Sequence, residues 1–165
     1  MKRRFVNVGI GVVFGFCLST TGCDALGGDT PRAAWERYIE SFAARDYGAL
    51  WDSMSESSRQ DTIRVLNHVK RDPQYRETIK LKFNIPPKTL LGMQPRDFFI
   101  SIMNGADRAL PQIVNLRVEK FKTTRFIREQ TNEKHAMVYW KSGSNAPESM
   151  AFVLENRQWK PVIKG

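Results

Sequence analysis

Beyond Pro111 the spacing of apolar residues shifts from near 3.6 towards two, and this switch constrains the fold more than any other feature of the chain. Period-two segments fall at 113–128, 135–141, 148–154 and 159–163. Their separators are Thr131-Asn132-Glu133-Lys134, Ser142-Gly143-Ser144-Asn145 and Glu155-Asn156-Arg157-Gln158, all rich in turn-forming residues. Short connections in succession favour an antiparallel meander, because parallel neighbours need a long crossover. Helices before and strands after predict an α+β domain, with N-terminal helices packed on a curved C-terminal antiparallel sheet of about four strands.

The helical part announces itself through its caps. Thr30-Pro31 sets an N-cap followed by proline at the first helical position, and Trp35, Tyr38, Ile39 and Phe42 then form one stripe. Arg45-Asp46-Tyr47-Gly48 breaks that helix, and Leu50, Trp51 and Met54 make a short apolar turn. Ser55 or Ser57 caps a third helix over 57–71, with Ile63, Leu66 and Val69 inward and Arg59, Arg64, Lys70 and Arg71 outward. A fourth is predicted over 75–83 after Asp72-Pro73. Ile85-Pro86-Pro87 reads as extended, since each proline disfavours helix in the residue before it. A helix over 95–107 buries Phe98, Phe99, Ile102 and Met103.

The other end of the chain carries an address. Lys2, Arg3 and Arg4 precede an apolar run over 5–18 broken only by Asn7, then Ser19, Thr20, Thr21, Gly22 and Cys23. Fourteen residues of helix reach about 21 Å, short of a hydrocarbon core of roughly 30 Å. A basic stretch, a short apolar run and small residues are the layout of an export signal. Small residues leading into a cysteine resemble a bacterial lipoprotein signal, with Thr20 where that family most often has leucine. The resemblance implies cleavage between Gly22 and Cys23 and a diacylglycerol thioether on Cys23. Residues 1–22 are then a signal peptide, 23–29 the lipidated cysteine and a tether, and 30–165 one domain in the cell envelope. Asp24 resembles the inner-membrane retention signal of some lineages. Ordinary cleavage that leaves Cys23 as a plain thiol is the alternative.

Cys17 and Cys23 are the only cysteines. Cleavage discards one and acylation consumes the other, which excludes a disulfide framework and thiol catalysis from the mature domain. Losing Lys2, Arg3 and Arg4 with the leader leaves 23 basic against 17 acidic side chains, a net charge of +6. The positives are scattered, which argues against nucleic acid as a partner. The densest patch, 120–128, alternates with Phe121, Thr123, Thr124, Phe126 and Ile127 as a strand does. A basic face of this kind suits anionic headgroups beside a tethered protein, or is simply solvated.

Three segments together resemble the nuclear-transport-factor-2-like superfamily. They are the proline-initiated helix ending at Asp46-Tyr47, the motif Leu50-Trp51-x-x-Met54-Ser55, and the late Glu155-x-x-x-Trp159-Lys160-Pro161-Val162. The resemblance spans about 30–165 and implies a cone, a bent sheet around helices with a cavity at its wide end. Its members include isomerases, dehydratases, pore-accessory domains and many proteins without a known activity, so fold alone does not decide function.

Acid–base chemistry in such a cone needs an Asp, His or Tyr beside an apolar pocket. The residues of that kind are Asp46, Tyr47, His68, His135 and Tyr139. His135 and Tyr139 share strand parity with Met137, and Ala136, Val138 and Trp140 take the other face. Each also has an ordinary reading: His135 beside a turn, His68 on a charged helix, Asp46 as a helix terminator. No zinc-type spacing, phosphate loop or Gly-x-Ser-x-Gly is present, so neither cofactor nor metal is implied. Trp35, Trp51, Trp140 and Trp159 read as core. Two functions of different class follow. One is a non-enzymatic lipoprotein held to the membrane through Cys23 that binds an envelope protein or a small apolar ligand. The other is a lyase or isomerase using His135, Tyr139 or Asp46.

Overall fold

A computed structural model describes residues 30–163. The expected signal peptide over 1–22, Cys23, Asp24, the expected tether over 23–29 and Lys164 lie outside the described residues. Seven helices precede four strands: α1 (Pro31–Ala43), α2 (Tyr47–Ser53), α3 (Glu56–Arg71), α4 (Pro73–Phe83), α5 (Pro87–Gly92), α6 (Pro95–Ala109), α7 (Pro111–Lys122), β1 (Thr124–Thr131), β2 (His135–Ser142), β3 (Glu148–Glu155) and β4 (Gln158–Pro161). The α+β architecture is the one the sequence predicts.

Side-chain caps start the first four helices. Thr30 Oγ1 accepts from the Ala33 N–H at 3.1 Å, Asp46 Oδ1 from Ala49 at 2.9 Å, and Ser55 Oγ from Ser58 at 3.3 Å. Asp72 ends α3 and starts α4, accepting from the Gln74 N–H at 2.8 Å, so α4 begins at Pro73, two residues before the expected Tyr75. Pro87 opens the short helix α5 inside a stretch expected to be extended.

The largest correction concerns the predicted strand over 113–128, and with it the alternating patch over 120–128. Residues 111–122 are helix, and only from Thr124 is the chain extended. Pro111 occupies the first helical turn. Val114, Val118 and Phe121 then form a stripe at helical spacing, with Val118 and Phe121 buried against Tyr38 and Phe42. Val114, Leu116 and Val118 also fall at alternate positions, so the short stripe fits both periods. Leu116 lies on the open side of the helix, 72% exposed.

The sheet is an antiparallel meander in the order β1-β2-β3-β4. Registers run Phe126↔Trp140, Val138↔Met150 and Leu154↔Trp159, and a bulge between Phe126 and Arg128 leaves Ile127 as the extra residue. Asn156 and Arg157 both have positive φ, the backbone a two-residue hairpin demands. On β2 Ala136, Val138 and Trp140 are buried while His135, Met137, Tyr139 and Lys141 face the other way, as the parity predicts.

One face of the sheet receives α1. Trp35, Trp140 and Trp159 meet there with Ala34, Ala136, Val138 and Phe152. A second core joins α1 and α2 to α7, and a third lies among α3, α4, α5 and α6 around Leu66, Val69, Leu90 and Phe98. All four tryptophans are buried, and Trp51 packs on Phe99 with ring centres 5.5 Å apart. The helical layer is tied to the far edge of the sheet: the Ser55 N–H donates to the Pro161 carbonyl, and Ser58 Oγ accepts from the Ile163 N–H at 2.8 Å. The Glu155 carboxylate takes the free Glu56 N–H at the start of α3.

Candidate functional site

The acid–base residues singled out from sequence do not converge. His135 is exposed at the start of β2, where its backbone N–H donates to Asn132 Oδ1 at 3.0 Å. Tyr139 lies on the same face four residues on, about 13 Å away by strand geometry. Its hydroxyl donates to Gln130 Oε1 at 3.0 Å, and the Arg128 guanidinium sits 4.6 Å above its ring. Asp46 is at the α1–α2 corner, engaged as the α2 cap. His68 stacks edge-on against Tyr75, ring centres 4.5 Å apart, bracing α3 against α4. His135 does border a shallow hollow of about 320 Å³ with Met137, Ala151 and Phe152, but no carboxylate lines it.

Tyr47 does have a charged partner. Its hydroxyl donates to Asp107 Oδ2 at 2.7 Å, and Arg45 Nε approaches the same oxygen at 3.4 Å. Arg45 also reaches Asn115 on α7. Burial, reinforced by the hydrogen bond and charge of Asp107, pushes the phenol well above its ordinary range. Tyr47 is thus held protonated as a donor, and the cluster clamps the α1–α2 corner to the ends of α6 and α7. Asp107 went unremarked in the sequence. Its signal was its place in the last turn of α6, where a carboxylate opposes the helix dipole and needs a partner.

The concavity best suited to a ligand lies among α3, α4 and α6. It is an apolar groove of about 420 Å³, with Val69, Ile79 and Phe98 at its base, Ile102 and Met103 along one wall, and Ile163 at one end. Val65 and Tyr75, each about half exposed, stand at the mouth. Ser58, Asp61, Thr62, Thr78 and Lys82 supply polar lining, and Asp61 is paired with Arg64. Gly105 shapes the far end: a Cβ there would lie 2.6 Å from Phe83 Cβ, so the missing side chain lets α4 close on α6. The core between α1 and the sheet, by contrast, is built of closely packed rings, Trp35 to Trp140 at 5.9 Å and Trp35 to Phe126 at 6.1 Å.

The sequence names most of the groove without revealing it. Phe98, Phe99, Ile102 and Met103 were expected to be buried, and Phe98 alone is fully so. Thr62 and Val65 lie on α3 beside the core stripe of Leu66 and Val69, and they widen its apolar face into the groove. Among the described residues no cluster of His, Cys, Asp or Glu suits a metal ion, and no helix is long and apolar enough to cross a membrane. No family model, no curated protein and no solved structure matches this chain.

Proposed function

We propose that this chain is an exported bacterial lipoprotein, anchored through Cys23, whose domain holds a small apolar ligand in the α3–α4–α6 groove without chemical turnover. The observation that carries the reading is the groove itself. Its volume, about 420 Å³, falls in the range of small-molecule sites, and its walls are aliphatic and aromatic with a few polar groups at the rim. Its polar lining is two hydroxyls of threonine, Ser58, a paired carboxylate and a lysine, which can orient a ligand's polar end but form no acid–base pair. His135, Tyr139 and Asp46 lie on other surfaces, which supports binding over the lyase or isomerase reading.

The test is titration with a fluorescent fatty acid, using Val65→Asp as the variant. Val65 is exposed enough for stability to stay within about 0.5 kcal/mol, while a carboxylate at the mouth should weaken binding about tenfold or more. Equal binding by both proteins would reject the groove. The anchor is tested separately by metabolic labelling with a fatty-acid analogue: label retained on Cys23→Ser would reject it.

A further inference from the structure

The sheet face turned away from α1 carries Arg125 and Arg128 on β1, Lys141 on β2 and Lys160 on β4, among Ile127, Tyr139 and Val153. Among the described residues none of these four cations has an ion-pair partner. The one carboxylate of the same parity, Glu155, is turned to the Glu56 N–H, and Glu129 and Glu148 belong to the opposite face. Arg125 and Lys141 are direct cross-strand partners. Like charges placed opposite one another destabilise a sheet unless an anion lies between them. They border an open hollow of about 710 Å³ with Lys122, which is paired to Glu119, and with Thr123 and Thr124.

The described chain begins across the β1 edge from this face, on the side that α1 covers. The Arg32 N–H at the start of α1 donates to Glu129 of β1 at 3.0 Å, so the described chain begins beside the basic edge strand. From Cys23 to Thr30 the chain extends at most about 25 Å.

We propose that this basic face is a docking surface for the anionic phospholipid headgroups of the membrane that holds the anchor. Charge complementarity and the short tether both point to lipid. Tethering keeps the face at high local concentration near the bilayer, so modest attraction suffices to orient the domain. The proposal takes its geometry from the anchored reading above and adds which side faces the lipid.

The experiment reconstitutes the processed full-length protein in vesicles of phosphatidylcholine alone or mixed equally with phosphatidylglycerol. Energy transfer to a headgroup acceptor is read from a donor at Ser149→Cys, on the basic face, or Gln74→Cys, on α4. Transfer from position 149 should rise about twofold in the anionic vesicles, and fall back in molar salt and in Arg125→Glu/Lys141→Glu. Position 74 should show no rise. Equal transfer in both lipids, or a lipid preference that survives both salt and the double variant, overturns the proposal. So does an acidic polypeptide that binds the face while the bilayer does not. Salt sensitivity decides the matter if the double variant misfolds. Absence of acyl mass on Cys23 would reject the anchor alone. Flotation of that same protein then decides for the face: preference for anionic vesicles supports docking, and none overturns it.

Discussion

The two halves of this domain use similar side chains to opposite ends. Between α1 and the sheet, Trp35, Trp140 and Trp159 pack into a buried core with Phe126 against it, whereas among α3, α4 and α6 an apolar lining encloses open space. The difference lies in what meets across the gap. Bulky rings stand opposite one another in the first case. In the second, the small side chains of Thr62, Val65 and Thr78 share the lining with Phe98, Ile102 and Met103, and the space between the helices stays open. Hydrophobicity puts both regions inside, and side-chain volume decides which becomes core and which becomes groove.

Breaking the filled half should have the largest effect. Trp35→Ala removes the indole joining α1 to β1 and β2, and such truncations cost about 3–5 kcal/mol, a large part of a domain's roughly 5–15 kcal/mol. Urea denaturation of protein lacking residues 1–23 should show the midpoint collapse; an unchanged midpoint would mean that the halves do not share one cooperative unit. Gly105→Ala attacks the open half. The new methyl would meet Phe83 Cβ at 2.6 Å, which backbone-borne atoms can relieve only by moving α4 off α6. The expected loss is about 1–3 kcal/mol, with altered affinity for the fluorescent fatty acid as the second readout.

The clamp joining the halves responds to pH. The Tyr47 phenol is raised in the folded protein, so its contribution is complete below about pH 10 and is lost as the pH climbs towards the raised value. Buried Tyr38 shifts the same way. Tyr47→Phe should cost about 1–2 kcal/mol at neutral pH by leaving Asp107 without its donor. It should also make the fall in stability above pH 10 shallower without abolishing it, because Tyr38 remains. Thermal melts across alkaline pH read both effects. The smallest change belongs to His135→Ala, an exposed side chain whose local hydrogen bond comes from the backbone, with stability expected within about 0.5 kcal/mol. A large loss there would restore His135 as a site residue.

Much of this arrangement was legible in the residues. Thr30-Pro31, Asp46, Ser55 and Asp72 mark helix starts because a side-chain oxygen must take up free N–H groups, which is a local requirement. The alternation on β2 is clear because one face is wholly buried. The segment over 113–122 misled because three apolar residues at alternate positions outweighed Pro111, and only the buried faces of Tyr38 and Phe42 settle which period applies. The groove was hidden for a different reason. Its residues look like core in sequence, and emptiness is a property of three helices together, which no single stripe reports. Asp107 was missed because its partners, Tyr47 and Arg45, come from some 60 residues earlier.

The ties between Ser55 and Pro161, Ser58 and Ile163, and Glu56 and Glu155 also set an order of events. A chain made from its N-terminus has α3, α4 and α6 in hand long before residues 155–163 exist, yet the start of α3 is left with open donors until they arrive. The groove wall contributed by Ile163 comes last of all. Ligand competence is therefore coupled to completion of the sheet: a chain cut short before β4 would present the groove-lining helices without their closing seam, as an exposed apolar surface rather than a binding site.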